Sequence, residues 1–468
     1  MRVFASLFIV VGLATIAICG IAGGKPPAAA KDIGKVEPPS GLIVHEWGTF
    51  TSISGSDGAR LEFRPLIDND LPQFVVNRAW QAGQFPNLFM KFDIRSLQRM
   101  ETPITYFYTD REQEVNVRVG FPKGLLTEFY PPVKSMKPAF DFKKRAEVGN
   151  SELDWGKVTL IPMDRLVPPL SSPAAAKAAH QRIIQTLAPD SRSHPHYDYA
   201  RETDSAFVYV PRTRDASRPA APAGDYFEKF LFYRGVGNFP LPLTVAAQGT
   251  DTYAVSNTGG ETLHSLFLVT YADNHLHMQH VKAIGAGTTL TIHQSSQTMR
   301  SDILSNMVVD ALIAEGLYEK EARAMVKTWS DSWFSEAGTR LFYILPRTLT
   351  DELLPLTISP APDQVVRVMV GRMEIISPEE ESRITQIVQV SATARKVSAD
   401  RAADVSTQAQ KAKPILPGPA LPQGLVQMGR LAEPALIRVK NFTKDKVIRT
   451  EACLLLDELH QYQTTLTN

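Results

Sequence analysis

The dominant period of apolar and polar positions changes near residue 299, with a helix before that point and two short strands after it as exceptions. From Leu42 to Ile292 apolar residues recur at every second position or in short unbroken runs, the spacing of half-buried and buried strands. From Met299 onward they recur every three or four positions, the spacing of amphipathic helices. The alternation predicts a first strand from Leu42 to about Ile53 and a return strand carrying Leu61 and Phe63, a hairpin reaching about Ile67. Ser54-Gly55-Ser56-Asp57-Gly58 supplies the turn. Further strands are expected at Thr105–Tyr108, Glu114–Val119 and Leu153–Ile161, with a helix at Ala174–Leu187. Between Phe207 and Ile292 the pattern gives short strands at Phe230–Tyr233, Leu243–Ala247, Thr252–Ser256, Leu266–Tyr271, His275–Ile284 and Thr288–Ile292. They are separated by Gly-, Asn- and Asp-rich turns, the signature of an antiparallel sandwich.

The helical period begins with Met299, Ile303, Met307 and Ala311, stops at Gly316, and resumes over Glu319–Phe334 with Ala322, Met325, Val326, Trp329 and Trp333 on one stripe. Buried-type strands follow at Leu341–Leu345 and Val365–Val370. Pro378-Glu379-Glu380-Glu381 opens another helix, and Val447–His460 is a closing one. The expected fold class is therefore β-rich α+β: antiparallel sandwich-like domains, then a helical hairpin, then a mixed C-terminal part. The expected divisions are 42–206, 207–295, 296–412 and 413–468, the last opened by a Pro-rich break from Lys413 to Gly424.

Val44-His45-Glu46-Trp47-Gly48-Thr49-Phe50-Thr51-Ser52 is the densest mixture of ionisable, aromatic and β-branched residues. Leu42, Val44, Glu46, Gly48 and Phe50 fall on one side of this strand; Ile43, His45, Trp47, Thr49 and Thr51 fall on the other. Neither row is a solvent face, so the strand is expected to be covered on both sides. Glu46 then sits in an apolar row and needs a charged or hydrogen-bonded partner. An ion pair with Arg234 or Arg372 is the expected arrangement; a general base or metal ligand is the competing one.

The rest of the composition narrows the function classes. The 468 residues are 44% hydrophobic and 21% charged, ordinary for globular domains, and the formal net charge of +1 gives no footprint for nucleic acid. Of two cysteines, Cys19 lies in the N-terminal apolar run and Cys453 stands alone beyond it, so a disulfide framework and a cysteine zinc site are both excluded. Residues 1–24 carry Arg2, an apolar run from Val3 to Ile21 and Ala22-Gly23-Gly24, the pattern of an export signal, with an uncleaved membrane anchor as its rival. Residues 25–41, rich in Pro, Ala and Lys, are expected to be a flexible tether.

Three groups of residues could carry chemistry. His275, His277 and His280 offer three imidazoles on one strand, although His280 has the other parity; an exposed hairpin competes with a metal site. His194, His196 and Asp198 would project together from an extended segment set by Pro195, with ligand types that suit zinc; a solvated loop competes. Glu46, Glu101, Glu128, Arg234 and Arg372 are single charges in apolar or aromatic runs, fitted for buried pairs or for paired-carboxylate catalysis. Trp47 and Tyr233 are candidate binding aromatics; the Trp329/Trp333 pair belongs to a helix stripe and is expected in the core. The sequence holds no nucleophile elbow, Walker loop, dinucleotide fingerprint or EF-hand loop.

On His-Glu-Trp-Gly-Thr-Phe-Thr-Ser at 45–52 the chain resembles a family of uncharacterised exported bacterial proteins. The resemblance continues in Met-Glu-Thr-Pro at 100–103, Leu-Thr-Glu-Phe-Tyr-Pro at 126–131, Phe-Leu-Phe-Tyr-Arg-Gly at 230–235, Glu-Ala-Arg-Ala-Met-Val-Lys-Thr-Trp at 321–329 and Arg-Val-Met-Val-Gly-Arg at 367–372. It implies export and a shared architecture, and it names no substrate. The expected function is a non-catalytic binding or scaffolding protein of the cell envelope. Its partner would be a protein or small-molecule ligand there, with no nucleic acid, and with membrane contact only through an uncleaved N-terminus. No cofactor is expected, and a divalent metal such as zinc is the one candidate. The alternative is an exported metal-dependent hydrolase using His45 and Glu46.

Overall fold

The computed structural model describes residues 41–66, 71–72, 74–83, 94–144, 146–166, 173–187, 196–211, 225–408 and 421–467. The expected export signal, nearly all of the expected tether, His194 and most of the Pro-rich break lie outside them. In chain order the strands are β1 Leu42–Ser54, β2 Arg60–Leu61, β3 Val76–Asn77, β4 Gln98–Thr109, β5 Gln113–Phe121, β6 Gly124–Tyr130, β7 Ser135–Lys137, β8 Ser151–Ile161, β9 Phe207–Val210, β10 Tyr226–Glu228, β11 Leu231–Gly237, β12 Leu243–Ala247, β13 Thr252–Asn257, β14 Leu263–Ala272, β15 His275–Ile284, β16 Thr289–His293, β17 Gly338–Ile344, β18 Leu356–Ser359 and β19 Gln364–Ile375. The helices are α1 Arg78–Gln81, α2 Met163–Leu166, α3 Pro173–Ile184, α4 His196–Ala200, α5 Ser301–Ala314, α6 Glu319–Phe334, α7 Arg347–Leu353, α8 Pro378–Gln408, α9 Gln423–Val426, α10 Ala432–Phe442 and α11 Lys446–Thr467.

β1 is the centre of a ten-stranded sheet ordered β15-β14-β17-β19-β1-β4-β11-β6-β3, with β2 beside β1. Every residue of β1 is buried, as its two apolar rows require. Its neighbours are not those of a hairpin. β2 pairs with only Ile53 and Ser54, whereas β19 runs parallel along β1 from Ile43 to Ser54 and β4 runs antiparallel on the other side. A short turn cannot join parallel strands, so the partner had to come from a distant part of the chain.

Alternation along β1 sorts its side chains into two apolar layers. Leu42, Val44 and Phe50 enter a core shared with the six-stranded sheet β10-β9-β8-β5-β18, with β7 beside β8, and the three-stranded sheet β12-β13-β16. Ile43 and Trp47 enter a second core, covered by α5 and α6. Gly316, at φ +104°, makes the turn between these two helices. Beyond the end of β1 and β19, Ile53, Phe63 and Ile376 join a third core, formed by α8, α10 and α11.

The fold is thus a β-rich α+β fold. Its sandwich is not a local domain of residues 207–295: β11, β14 and β15 belong to the large sheet, β10 to the six-stranded one, and β12, β13 and β16 to the small one. Residues from Pro38 to Asn468 cluster as one compact unit, so the divisions expected near 206, 295 and 412 do not separate compact bodies.

Candidate functional site

Neighbouring residues on a strand face opposite ways, and this separates His45 from Glu46. Glu46 points between the sheets and is fully buried. Its Oε2 accepts from Arg367 Nε at 2.7 Å and lies 2.6 Å from Arg367 Nη2; its Oε1 accepts from Tyr233 Oη at 2.7 Å and Thr105 Oγ1 at 3.0 Å. Arg367 is the residue directly beside Glu46 in the parallel ladder. Its Nη1 also donates to the Leu354 carbonyl at 2.6 Å and to half-exposed Asp351 at 2.9 Å. Against the effect of burial, Glu46 and Tyr233 hold the guanidinium above its ordinary range. Burial, and after it the Glu46 carboxylate, push the Tyr233 phenol well up. The arginine expected opposite Glu46 is therefore present, but it is neither Arg234 nor Arg372.

His45, also fully buried, points under the helices. Its Nδ1 lies 2.7 Å from Glu321 Oε2, and the same carboxylate accepts from Tyr108 Oη at 2.7 Å and from the Tyr318 backbone N–H at 2.8 Å. Glu321 thereby ties the first turn of α6 to β1 and β4, a position where the helix dipole favours a carboxylate. The Tyr318 ring sits 4.4 Å from the imidazole, and His45 Nε2 has no hydrogen-bond partner among the described residues. Burial, then Glu321, push the Tyr108 phenol well above its usual value.

Further along the same face, a polar array crosses the sheet. Arg340 on β17, Arg372 and Glu374 on β19, Thr51 on β1, and Arg99 and Glu101 on β4 are all buried. Glu374 lies 2.7 Å from Arg372 Nε and 3.2 Å from Arg340 Nε. Glu101 accepts from Thr51 Oγ1 at 2.8 Å and pairs with Arg99 at 3.0 Å. Glu128 and Arg234, side by side on β6 and β11, approach to 3.7 Å. Burial alone would raise the Glu374 carboxyl, but Arg372, Arg340 and Arg430 hold it well below the carboxylate range. Of the scattered charges singled out in the sequence, Glu101, Glu128, Arg234 and Arg372 share this face, and Glu46 does not. Arg340 and Glu374 meet the same criterion, lone charges in Leu-Phe-Tyr-Ile and Met-Glu-Ile-Ile contexts, and were legible by it. Arg367, set between Val365-Val366 and Val368-Met369-Val370, meets it as well, whereas Glu321 gave no such signal, since helix faces normally carry charges.

The proposed metal ligands do not converge. His275 Nδ1 meets the Asp273 carbonyl at 2.8 Å, His277 Nδ1 meets the Ser295 carbonyl at 3.1 Å, and His280 stacks on Phe267 with ring centres 4.6 Å apart. Residues 196–200 are helical rather than extended, so the parity that grouped His196 with Asp198 does not apply; Asp198 accepts from Arg201 at 3.1 Å. Among the described residues no group of three or more His, Cys, Asp or Glu is placed to hold a metal ion. Trp47 is wholly buried and Tyr233 is committed to Glu46, so neither is a surface aromatic. Trp333 lies in the core as its stripe predicts. A cleft of about 390 Å³ opens between α5 and α6 over Val309, Val326 and Phe334, rimmed by Asp302, Lys327 and Asp331.

Neither family models nor curated proteins give a match to the chain. Among solved structures, the yeast delta-COP-I mu-homology domain complexed with a Dsl1 WxWxV peptide aligns over 72% of this chain and 96% of its own. The identity is 8% and the TM-score 0.22, a superposition too loose to bear on fold or role.

Proposed function

We propose that the protein is an exported, non-catalytic binding or scaffolding protein of the cell envelope. One observation carries this reading. The residues with the best claim to chemistry, His45 and Glu46, point to opposite faces of a central strand, each buried and held by its own intramolecular partner. A hydrolytic centre needs its base and its ligands to reach one reacting atom; these two side chains are divided by the sheet. Their contacts instead fasten the helical layer and the parallel seam. The apolar N-terminal run supports export, and the resemblance at residues 45–52 supports it from the other side.

Purified protein assayed against ester, phosphate-ester and peptide substrates, with and without added zinc, tests the reading. The expected result is less than one equivalent of bound metal and no turnover that His45→Gln or Glu46→Gln abolishes. Stoichiometric metal lost in His45→Gln, or turnover lost in either folded variant, would overturn it. Mass analysis of the chain after expression tests export: the expected N-terminus lies just after Gly24, and an intact chain confined to the cytosol would contradict it.

A further inference from the structure

The polar array reaches solvent where the connection between α6 and β17 meets the C-terminal helices. Glu336 stands on that connection, an exposed stretch from Ser335 to Ala337. Its side chain is 45% exposed, yet its Oε2 lies 2.9 Å from Arg372 Nη2 and 2.5 Å from Arg430 Nη2. Arg372 is buried; Arg430 is 20% exposed. Behind them Glu374 accepts from both guanidiniums, at 2.6 Å from Arg372 Nη2 and 2.8 Å from Arg430 Nη2, and Arg340 lies beyond.

We propose that the Arg372–Arg430 mouth is a carboxylate-binding site which Glu336 fills from within, and that a carboxylate ligand takes its place. Three arguments support this. The cluster is built around carboxylates that each draw charge-assisted contacts from more than one guanidinium, Glu336 from Arg372 and Arg430, Glu374 from Arg340, Arg372 and Arg430. Its charges do not cancel. Arg340, Arg372 and Arg430 face Glu374 and Glu336, and the adjoining Arg99 and Glu101 add one of each sign. One positive charge is left over among the described residues, and Arg430 Nε is buried with no hydrogen-bond partner among them. Arg372 registers the excess: after burial, repulsion from Arg430 and Arg340 lowers its pKa. Arg430 is held above its ordinary range by Glu374 and Glu336 despite burial.

Glu374 and Glu336 differ in what holds them. Glu374 is fixed in a central strand, and moving it would disrupt the sheet. Glu336 rests on an exposed connection, and swinging its side chain into water uncovers no apolar core. Glu336 is thus the exchangeable member of the pair. The ligand is a free carboxylic acid or an acidic side chain of a partner. This assignment stands apart from the question of catalysis, since a carboxylate site serves a scaffold or an enzyme equally.

Acetate, the smallest mimic of the Glu336 head group, is the first probe. Thermal unfolding of the full chain is followed against acetate at constant ionic strength, with chloride as the replacement salt. Glu336→Ala is expected to show saturable stabilisation by acetate over chloride, with half-saturation at least tenfold lower than in the native chain. Arg430→Gln in the Glu336→Ala background should abolish it; if that double variant does not fold, Arg430→Lys, which keeps the charge and loses the fork, should weaken it at least fivefold. A capped glutamate peptide binding more tightly than acetate would support a protein source, and equal binding a free acid. Acetate indistinguishable from chloride in folded Glu336→Ala would overturn the proposal, as would inorganic phosphate saturating well below acetate.

Discussion

Replacing Glu46 by Gln tests whether the seam between β1 and β19 is held by charge. The carboxylate is fully buried and accepts three hydrogen bonds, from Arg367 Nε, Tyr233 and Thr105, with Arg367 Nη2 a further 2.6 Å ion-pair contact. The substituted amide would either keep its oxygen for Tyr233 and Thr105 and turn its NH₂ toward the guanidinium, or give the guanidinium a neutral oxygen and face the two hydroxyls with its NH₂. Removing one partner of a buried pair costs about 3–5 kcal/mol, because the remaining charge stays in a medium of low dielectric. Asp351 still touches Arg367 at 2.9 Å and is half-exposed, which places Glu46→Gln near the lower bound, about 3 kcal/mol. Glu46→Ala also strips the acceptors from Tyr233 and Thr105, at about 1 kcal/mol each, and should approach 5 kcal/mol. Replacing both partners, as Glu46→Met with Arg367→Met, should recover most of the loss, since an apolar pair strands no charge. Urea unfolding followed by tryptophan fluorescence and far-UV circular dichroism measures these differences from the midpoint shifts, given coincident transitions and an unchanged slope. A Glu46→Gln chain within about 0.5 kcal/mol of the native one, far below the buried-pair cost, would refute the reasoning.

Three further outcomes are expected. Lys229 is wholly buried, and its ammonium meets a backbone carbonyl, Met163 Sδ at 3.3 Å and the Phe207 ring, with no carboxylate of the described residues paired to it. Burial lowers its pKa to about 7, so between there and its unfolded value near 10.5 only the unfolded chain binds the proton, and stability rises with pH. Lys229→Met should therefore be the more stable chain near pH 6, with an advantage that shrinks by about 1.4 kcal/mol per pH unit above 7; a pH-independent difference would contradict this. Gly48 faces Thr102 and Pro103 across a bulge, and an added Cβ would lie 3.0 Å from Pro103 backbone atoms and 2.9 Å from Met369 Sδ. Gly48→Ala should cost about 1–3 kcal/mol by the same urea assay, and a neutral result would show that the bulge can open. Glu321→Gln should speed hydrogen exchange in the first turn of α6 and leave α5 unchanged; equal protection in both chains would remove Glu321 as the tie.

How much of this was readable depended on whether the relevant force is local. Period 2 at Leu42–Ile53 announced a strand buried on both faces, and period 3.6 at Glu319–Phe334 gave α6 with its core stripe, because burial acts on each residue separately. Partner choice is a property of register between distant segments. Arg367 and Arg372 stand five residues apart on β19 with opposite parity, and only the pairing of β19 with β1 decides which one meets Glu46. The hairpin expected from the Asp57-Gly58 turn shrank to a two-residue contact because the neighbouring edges of β1 went to longer strands. Residues 196–200 form a helical turn with Tyr197 and Ala200 in the core under α6. Pro195 restricts the residue before it and imposes no extension on those that follow, so the shared parity of His196 and Asp198 had no local basis.

The seam at β1 also constrains how the molecule comes into being. The strand at its centre is made long before the parallel partner that completes it, which ends at Ile375. Until that late segment exists, one flank of β1 presents unpaired amides and carbonyls beside an apolar row, a template for wrong pairings. Assembly of the middle must therefore wait for most of the chain, and so large a sequence separation makes the closing step slow. Fragments that stop before Gln364 are expected to be sticky and quickly degraded.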